Sequence, residues 1–509
     1  MERECETISA AAPAEILVFP FPGQSHMCPM VQLSKRLAAK GLRVTVVATI
    51  SAANSIHQTP QAQAATANSF QVEFISDGSE EENKSENLDE AVERFKSVAT
   101  QTLTQLIISI QNQNKNTSSS DGASSVPLKL RLVIYDSGMP WVLDIARQLG
   151  IDGAPFFTQS CAVASIYHHF REGAFKLSTT TATPTPSSLD GDSEAAAHGS
   201  TSPPSTDIIV LPSMPPLKLN DLPSFLCDTH SYAVLCKHTL NQFSNFREAK
   251  WQLYNTFDTL EPEVVKWMTS QSWQVKTVGP TIPSMFLDRR FEDDKDYSFN
   301  LFKPNVETYV KWLDSKEAGS VVYLSFGSFG SLKREQMEEI AWGLKKSDYH
   351  FMWVVRESEK EKLPKNFIEE LSDSTEQKGL VVSWCSQLQV LAHKALGCFV
   401  THCGWNSTLE ALSLGAPMVA MPQWTDQTTN AKFVEDVWKA GVRVRVDEKL
   451  GVATKEELAK CIRQVMEEEK GAEIRKALSN WKKLAKEAVD KGGSSDKNIE
   501  EFVAQLLLI

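Results

Sequence analysis

The sequence predicts an α/β protein built from two doubly wound parallel sheets that face each other across a cleft. Short runs of β-branched residues alternate with longer amphipathic stretches along most of the chain, a pattern typical of βαβ units. The chain has 509 residues, more than a single hydrophobic core usually organises. A segment with three prolines and an acidic run, residues 280–305, lies midway and would separate the two halves.

Six strands are expected in each half, with helical patterns between them. The predicted strands are 16–21, 43–48, 71–75, 132–135, 155–158 and 252–257, then 321–326, 351–355, 380–382, 398–401, 418–421 and 442–446. The helical patterns include 30–40, 141–149, 456–468 and 472–488. Two stretches, 112–125 and 178–206, are rich in small polar residues, and we expect them to be mobile surface loops because they lack apolar residues.

These patterns divide the chain into four parts. We expect a first domain at 1–270, a linker at 271–306, a second domain at 307–485, and a C-terminal helix within 486–509 that packs back on the first domain. In an open parallel sheet, ligands bind beyond the carboxyl ends of the strands. Polar residues that follow strands are therefore the candidates for function.

Composition argues against several classes of function. The formal net charge is −12, whereas a nucleic-acid partner requires a basic surface. No apolar run is long enough to span a bilayer and the N-terminus lacks a signal-peptide pattern, so we expect a cytoplasmic protein without membrane insertion. The nine cysteines have irregular spacings and are expected to be free thiols.

The strongest group of candidates follows the predicted strand 398–401. His402 ends that strand, Gly404 makes a turn, and a helix begins near Asn406. Asn406 and Ser407 suit a helix N-terminus, whose free backbone N–H groups bind phosphate. The imidazole of His402 is expected to donate a hydrogen bond to the same phosphate. Taken singly, each of these residues is better explained by core packing or helix capping, whereas the whole set at this spacing favours a binding site.

Further polar and aromatic residues flank this turn. Glu410 lies within the same helix, where a carboxylate suits ribose hydroxyls better than a phosphate. Trp384 ends the preceding strand and can stack a flat base, and Gln387 offers a donor and an acceptor for a base or a ribose. Asp426 and Gln427 follow the next strand and suit sugar hydroxyls.

The same region also raises the alternative of a zinc site. The cysteines and histidines in it do not form the closely spaced pairs typical of zinc ligands, and a strand–helix context would scatter them. We therefore expect no metal site. The residues concerned are Cys385, His393, Cys398, His402 and Cys403.

A general base is expected after the first strand. That strand runs into Pro-Gly-Gln-Ser-His, and we expect His26 at the tip of the strand, facing the cleft. Histidine suits proton transfer near neutral pH. Asp136 ends another strand and would orient the imidazole if the two strands are neighbours, although it also fits a helix N-cap. Ser328 follows Gly327 at the tip of a third strand, where a serine fits a turn.

Residues 384–427 as a whole resemble the plant secondary-product glycosyltransferase signature of the family 1 UDP-glycosyltransferases, including its HCGWNS core. The segments FPFPGQSHMCPM and VIYDSGMPWVLDIA resemble the family segments that carry the catalytic His and its supporting Asp. Ser25 replaces a common Gly and Cys28 a common Asn. The resemblance implies a GT-B fold, in which one Rossmann-like domain binds the acceptor and the other binds the UDP-sugar.

The resemblance also implies a role for each site residue. His26 would be the catalytic base and Asp136 its support, and a closing Gln at 427 usually goes with glucose as the donor. The residues expected to bind the UDP-sugar are Ser25 and Ser328, with Trp384 and Cys385 on uracil, Gln387 and Glu410 on ribose, His402, Asn406 and Ser407 on the diphosphate, and Trp405, Asp426 and Gln427 on the hexose.

The expected function is the metal-independent, inverting transfer of glucose from UDP-glucose to a hydroxyl or carboxyl of a small apolar plant metabolite (a terpenoid, steroid, phenolic or carboxylic acid), without a further cofactor. A non-catalytic nucleotide-sugar-binding protein would carry the same donor residues, although His26 and Asp136 argue against it. An NAD-dependent oxidoreductase needs G-x-G-x-x-G and a serine hydrolase needs G-x-S-x-G, and neither motif occurs. The acceptor is expected near Phe157, Tyr167, His168 and Phe225.

Overall fold

Two parallel sheets organise the computed structural model, which describes residues 14–55, 70–79, 88–120, 129–177, 208–228, 231–297, 306–372 and 378–508. The first sheet has seven strands in the order β3-β2-β1-β4-β5-β6-β7. They are β1 (Ala14–Phe19), β2 (Arg43–Thr49), β3 (Gln71–Ile75), β4 (Lys129–Asp136), β5 (Asp152–Phe157), β6 (Gln252–Tyr254) and β7 (Val275–Thr277).

The second sheet has six strands in the order β10-β9-β8-β11-β12-β13. They are β8 (Val321–Ser325), β9 (His350–Val354), β10 (Gly379–Val382), β11 (Leu396–Thr401), β12 (Met418–Ala420) and β13 (Gly441–Arg443). Every pairing in both sheets is parallel. The predicted fold class, two doubly wound parallel sheets, is therefore confirmed.

Seventeen α-helices connect the described strands and cover the sheets. They are α1 (Gln24–Ala39), α2 (Ile50–Ser55), α3 (Leu88–Ser120), α4 (Trp141–Gln148), α5 (Cys161–Arg171), α6 (Ser224–Cys227), α7 (Ala233–Asn241), α8 (Pro262–Ser270), α9 (Val306–Asp314), α10 (Arg334–Ser347), α11 (Phe367–Ser372), α12 (Gln387–Leu391), α13 (Trp405–Leu414), α14 (Gln427–Lys432), α15 (Lys455–Met466), α16 (Glu469–Val489) and α17 (Ser494–Leu507). Among the described residues, none of these helices combines the length and apolar character needed to cross a membrane.

The strand β1 shows how the first sheet buries both of its faces. Ile16 and Val18 pack in one apolar cluster with residues of α1 and α17. Leu17 and Phe19 point the other way and pack in a second cluster with residues of α3 and α4. Because side chains alternate along a strand, a strand that is apolar throughout must be covered on both sides.

Two predictions about connecting segments differ from the structure. Residues 112–120, expected in a loop, continue α3, whose buried stripe of Ala99, Leu103 and Ile107 holds the helix against the sheet. The polar side chain of Gln111 is also anchored, because its Nε2 donates to the carbonyl of Leu149 at 3.1 Å. Residues 121–125 and the predicted loop 178–206 lie outside the described residues.

The second difference is the strand β7, which falls inside the segment 271–306 expected to be a linker. Its pairing with β6 extends the first sheet before the chain crosses to the second domain. At three residues, Val275–Thr277, this strand is too short to give a periodic pattern in the sequence.

The helix α17 lies against the first domain although it ends the described chain. Ile499, Phe502 and Leu506 are buried in the cluster beneath β1 and β2. The ring of Phe502 meets that of Trp251 edge-on, with 5.2 Å between centroids, and the indole Nε1 of Trp251 donates to Gln505 at 2.8 Å.

Direct hydrogen bonds and ion pairs join the two domains. The indole Nε1 of Trp438 donates to the carbonyl of Leu260 at 3.1 Å. The guanidinium of Arg443 lies 2.6 Å from the carboxylate of Asp221, and the two side chains are only 10% and 8% exposed. These contacts bring the carboxyl ends of the two sheets together at one cleft.

Candidate active site

Both sheets place polar residues at the point where strand order reverses. In the first sheet this point lies between β1 and β4, and in the second between β8 and β11. Ligands of doubly wound sheets bind outside such switch points. His26 and Asp136 flank the first switch point, and Ser328 and His402 flank the second.

His26 and Asp136 form a hydrogen-bonded pair at the first switch point. His26 lies in the first turn of α1, not on the strand tip, and its Nδ1 is 2.6 Å from Oδ2 of Asp136 at the end of β4. Asp136 is buried, whereas His26 is 34% exposed. The other carboxylate oxygen accepts from the backbone N–H of Gly138 at 2.9 Å. This leaves the imidazole Nε2 as the nitrogen that can take a proton from a ligand.

The surroundings of His26 set its protonation. Burial acts to lower the pKa of His26, but the charge of Asp136 and its hydrogen bond raise the pKa by more, and Asp426 of the second domain adds to this. The net effect is a pKa above the ordinary value of 6.5. Since an opposite charge within a few ångströms favours the ionised form, the pair can hold a proton removed from a substrate.

An aromatic wall lies beside His26 on the first domain. The ring of Phe21 meets the imidazole at 5.4 Å between centroids, and Phe95 meets Phe21 at 5.5 Å. Trp141 continues the wall, 6.3 Å from Phe95. Apolar walls with a few polar groups are typical of small-molecule sites.

A second histidine, His238 on α7, lies near the pair and was not predicted, because it belongs to none of the motifs found in the sequence. A Cβ added at Gly138 would lie 3.1 Å from Oδ1 of Asp136 and 3.2 Å from Nε2 of His238, so both groups border the same glycine. Burial lowers the pKa of His238. Gln242, one turn later, accepts from Ser137 at 3.1 Å and fastens this end of α7 to the turn after β4.

The residues expected near the acceptor are buried. Phe157 stacks on Tyr254 in the core at 4.3 Å, and His168 packs edge-on against Trp273 at 4.9 Å. Phe225 meets Trp424 of the second domain at 5.6 Å. Phe157 directly precedes Thr158, whose Oγ1 lies 3.3 Å from Nδ1 of His26. The fourth residue, Tyr167, is also buried.

At the second switch point, His402 is enclosed by two glycines. A Cβ at Gly327, which follows β8, would lie 2.8 Å from Nε2 of His402, and one at Gly404 would lie 2.5 Å from it. Gly327 also has a φ of +75°, which favours glycine. Burial lowers the pKa of His402 to about 4, so its imidazole is neutral at pH 7.

His402 also has an unused polar atom. Its Nδ1 is buried and has no hydrogen-bond partner among the described residues. It lies just before the N-terminus of α13, whose backbone N–H groups suit an anion. Ser328 lies in the turn after β8, next to Gly327, where its carbonyl accepts from Arg356 at 2.7 Å.

The first turn of α13 reaches across the cleft. Nδ2 of Asn406 donates to the carbonyl of Ser25 at 2.7 Å, so the helix start lies beside the residue that precedes His26. Oγ of Ser407 accepts from Nε2 of Gln387 at 2.8 Å. The structure thus brings the predicted diphosphate residues and the predicted base to opposite sides of one cleft.

Glu410 is buried one turn further along α13. Its Oε2 accepts from Gln387 and its Oε1 from the hydroxyl of Tyr297, both at 2.7 Å. Burial raises the pKa of Glu410 to about 7, although both hydrogen bonds oppose that rise. The nearby Cys385 is buried with its Sγ 3.3 Å from the hydroxyl of Tyr323, and the half-buried Trp384 lies just before it.

The three residues expected at the hexose differ in what they face. Gln427 is buried, and its Oε1 accepts from the backbone N–H groups of residues 423 and 424 at 2.9 and 3.1 Å. Burial raises the pKa of Asp426 to about 6, and the hydrogen bond that its Oδ2 accepts from Asn430 at 2.7 Å and the charge of His26 oppose that rise. The side chain of Trp405 instead lies in the domain interface, where its Nε1 donates to the carbonyl of Asn255 at 2.7 Å.

Within the described ranges, no group of three or more His, Cys, Asp or Glu side chains is arranged to hold a metal ion. The described cysteines at 385, 398 and 403 are free thiols.

Comparison with known proteins identifies the family. Residues 216–483 match the model of the UDP-glucoronosyl and UDP-glucosyl transferase family. The chain belongs to this family. It is 48% identical to mogroside I-E synthase from Siraitia grosvenorii over 491 residues, which cover 96% of this chain and 98% of that protein. The protein is therefore a UDP-glycosyltransferase that resembles enzymes of plants.

Solved structures of plant UDP-glycosyltransferases share its fold. Os79 from O. sativa in complex with UDP has a TM-score of 0.80 and 33% sequence identity, and the match covers 96% of this chain and 100% of that one. Os79 in complex with U2F and a trichothecene has a TM-score of 0.76 and 32% identity over the same shares. The two-domain architecture is thus that of the GT-B enzymes.

Proposed function

We propose that this UDP-glycosyltransferase transfers glucose from UDP-glucose, with inversion, to a hydroxyl or carboxyl of a small apolar metabolite. The observation that carries the proposal is the hydrogen bond between Asn406 and the carbonyl of Ser25. It joins the helix start suited to a diphosphate to the turn that holds His26. A base and a leaving-group site on opposite sides of one cleft are what a displacement at the anomeric carbon requires.

The reaction would proceed in one step. Nε2 of His26 takes the proton of the acceptor hydroxyl, and the acceptor oxygen forms a bond to the anomeric carbon from the face opposite UDP. The bond between that carbon and the diphosphate oxygen breaks, and UDP leaves with the electron pair. Asp136 stabilises the imidazolium that forms, as the 2.6 Å hydrogen bond supports.

The leaving diphosphate would be held without a metal. Backbone N–H groups at the start of α13 offer a positive dipole end, and Asn406 and Ser407 lie there. The unused Nδ1 of His402 is a further donor, since a neutral imidazole can carry its proton on that nitrogen. Ser328 would add a hydroxyl from the turn after β8, the strand next to β11.

The rest of the donor would occupy the second domain. We assign uracil to Trp384 and the backbone of Cys385, and ribose to Gln387 and Glu410. The hexose lies next to Asp426 and Gln427, with Trp405 contributing its backbone, because its indole is engaged with Asn255. The relatives support a small-molecule acceptor: one is named a mogroside I-E synthase and another was solved with a trichothecene.

Replacement of the base tests the proposal. In His26→Ala, turnover of an alcohol acceptor should fall by about 10²–10⁴, the usual contribution of a general base, while the Kd for UDP stays unchanged by calorimetry. A carboxylic acid acceptor, already ionised at neutral pH, should lose much less. His393→Ala is a matched control, because that histidine pairs with Asp314 on the second domain.

Three outcomes would overturn the proposal or part of it. Undiminished turnover of alcohols by His26→Ala would remove the base. Absence of heat with UDP would remove the donor site. UDP binding by the native protein without any product, detected by mass spectrometry over a broad acceptor panel, would favour the non-catalytic nucleotide-sugar-binding alternative.

A further inference from the structure

The segment that crosses between the domains contributes a side chain to the donor site. Tyr297 is the last described residue of this segment, and its hydroxyl donates to Oε1 of Glu410 at 2.7 Å. The two residues are 113 positions apart in the chain. Burial raises the pKa of Tyr297 well above its ordinary value, so the hydroxyl keeps its proton and acts as a donor.

The segment is fastened to the first domain directly before this tyrosine. The ammonium of Lys35 on α1 lies 2.6 Å from Oδ1 of Asp294, and both side chains are only 8% exposed. Nζ of Lys35 and Nε2 of Gln32 each donate to the carbonyl of Asp296 at 3.0 Å. The backbone that carries Tyr297 is therefore held by the same helix that carries His26.

The hydrogen-bond capacity of Glu410 explains what this contact does. An ionised carboxylate has about four acceptor positions. Gln387 and Tyr297 occupy one position on each oxygen and fix the orientation of the group, which leaves about two positions for the two ribose hydroxyls. A buried carboxylate without such donors would be neutral more of the time and would accept less strongly.

We propose that Tyr297 is a positioning residue for the donor, which orients the Glu410 carboxylate toward the ribose and stabilises its ionised form by a hydrogen bond. The inference rests on the proposed role of Glu410 in ribose binding. Because its segment is bonded to α1, Tyr297 also ties the nucleoside site of the second domain to the helix that bears the base. Tyr297 acts through Glu410 and needs no contact with the reacting atoms.

The variant Tyr297→Phe tests this role, since it removes the hydroxyl and keeps the ring. A lost hydrogen bond to a charged group predicts that the KM for UDP-glucose and the Kd for UDP rise by about 10-fold or more. The kcat at saturating donor and the KM for the acceptor should stay within about 2-fold, because neither reacting group has moved. A general loss of fold would change all four quantities.

Tyr349→Phe is a matched control. The hydroxyl of Tyr349 also donates to a glutamate, Glu467. Tyr349 directly precedes β9, at the amino ends of the strands, whereas the cleft lies at their carboxyl ends. Donor binding should be unaffected in this variant. Equal losses in Tyr297→Phe and Tyr349→Phe would show a general effect of removing a tyrosine hydroxyl and would overturn the inference.

The variant Glu410→Gln separates the inference from the proposed function. If Glu410→Gln weakens UDP binding and Tyr297→Phe does not, the positioning role fails and the ribose assignment stands. If Glu410→Gln leaves the Kd for UDP unchanged, the ribose assignment itself fails. The double variant should bind UDP no more weakly than Glu410→Gln alone, because both changes remove one coupled unit, and additive losses would contradict the inference.

Discussion

At the scale of single residues, the pKa of His26 is set by two opposed effects. Burial disfavours the imidazolium, and the charge and hydrogen bond of Asp136 outweigh that effect, so the pKa lies above 6.5. A general base acts in its neutral form. With an alcohol acceptor, kcat/KM should therefore rise with pH and level off above the raised pKa.

The variant Asp136→Asn tests that balance. Without the carboxylate the effect of burial remains, so the rising limb of the pH profile should move to lower pH. The plateau should fall by about 10²–10⁴, because the amide no longer stabilises the imidazolium. The measurement is kcat/KM against pH for both proteins. A limb that stays in place or moves to higher pH would show that Asp136 does not set the protonation of His26.

Much of this site could be predicted from the sequence, because parallel sheets bring the ends of their strands together. His26, Asp136 and His402 each lie next to a predicted strand end, so the rule that ligands bind beyond the carboxyl ends of parallel strands already implied that they border a cleft. The direction of the Trp405 side chain could not be predicted. It depends on packing against Asn255, a residue of the other domain.

Site residues that come from distant parts of the chain could not be predicted from the sequence. Tyr297 reaches Glu410 only because α1 holds its backbone, and nothing in the local sequence specifies that arrangement. His238 reaches the neighbourhood of Asp136 because Gln242 accepts a hydrogen bond from Ser137. In both cases tertiary contacts, not a local motif, determine which side chain enters the site.

At the scale of elements, the helix α17 completes the core of the first domain. Phe502 is 1% exposed and packs against Trp251, beneath strands whose opposite face carries α3 and α4. A helix at the end of the chain thus covers the sheet that places His26 and Asp136. A helix within 486–509 that packs back on the first domain was expected from the sequence, although the residues it would contact there could not be read from the sequence.

Truncation of Phe502 should measure this contribution. Phe502→Ala leaves a cavity in a packed core and is expected to cost about 3–5 kcal/mol of the free energy of unfolding, with a lower Tm. The check is thermal unfolding of the variant beside Leu508→Ala, whose side chain is 88% exposed and whose loss should cost about 0.5 kcal/mol or less. Equal melting temperatures for the two variants would mean that α17 does not stabilise the first domain.

At the scale of the whole molecule, activity requires both domains to hold one relative position, since base and donor come from different halves. Asp221 of the first domain is a centre of the interface. Its carboxylate lies 2.6 Å from Arg443 and 3.6 Å from Lys432, both of the second domain. Its Oδ2 also accepts from the backbone N–H of Lys218, which fixes the carboxylate in place.

Removal of this carboxylate should separate donor binding from turnover. Asp221→Ala leaves the largely buried guanidinium of Arg443 with the carbonyl of Asn220 but without its 2.6 Å counter-charge, and breaking a buried ion pair costs about 3–5 kcal/mol. This loss of free energy destabilises the arrangement in which the two domains are in contact. The kcat/KM with alcohol acceptors should therefore decrease, and the radius of gyration from X-ray scattering should increase. The Kd for UDP should rise by no more than the roughly 10-fold expected for Tyr297→Phe, because the other residues assigned to the nucleoside lie within the second domain, whereas Tyr297 is held by α1 of the first.

A second substitution distinguishes an unpaired charge from simple loss of packing. In Asp221→Ala/Arg443→Met the uncompensated guanidinium is gone, and an apolar pair of similar volume often restores what a broken ion pair removes. The double variant should therefore recover most of the lost kcat/KM. Lys311→Ala, which breaks an ion pair with Glu307 whose side chains are 80% and 87% exposed, should behave as the native protein. If the double variant is as impaired as Asp221→Ala, the Asp221 carboxylate acts through its contact with Lys218 or Lys432, and the pair with Arg443 does not hold the domains.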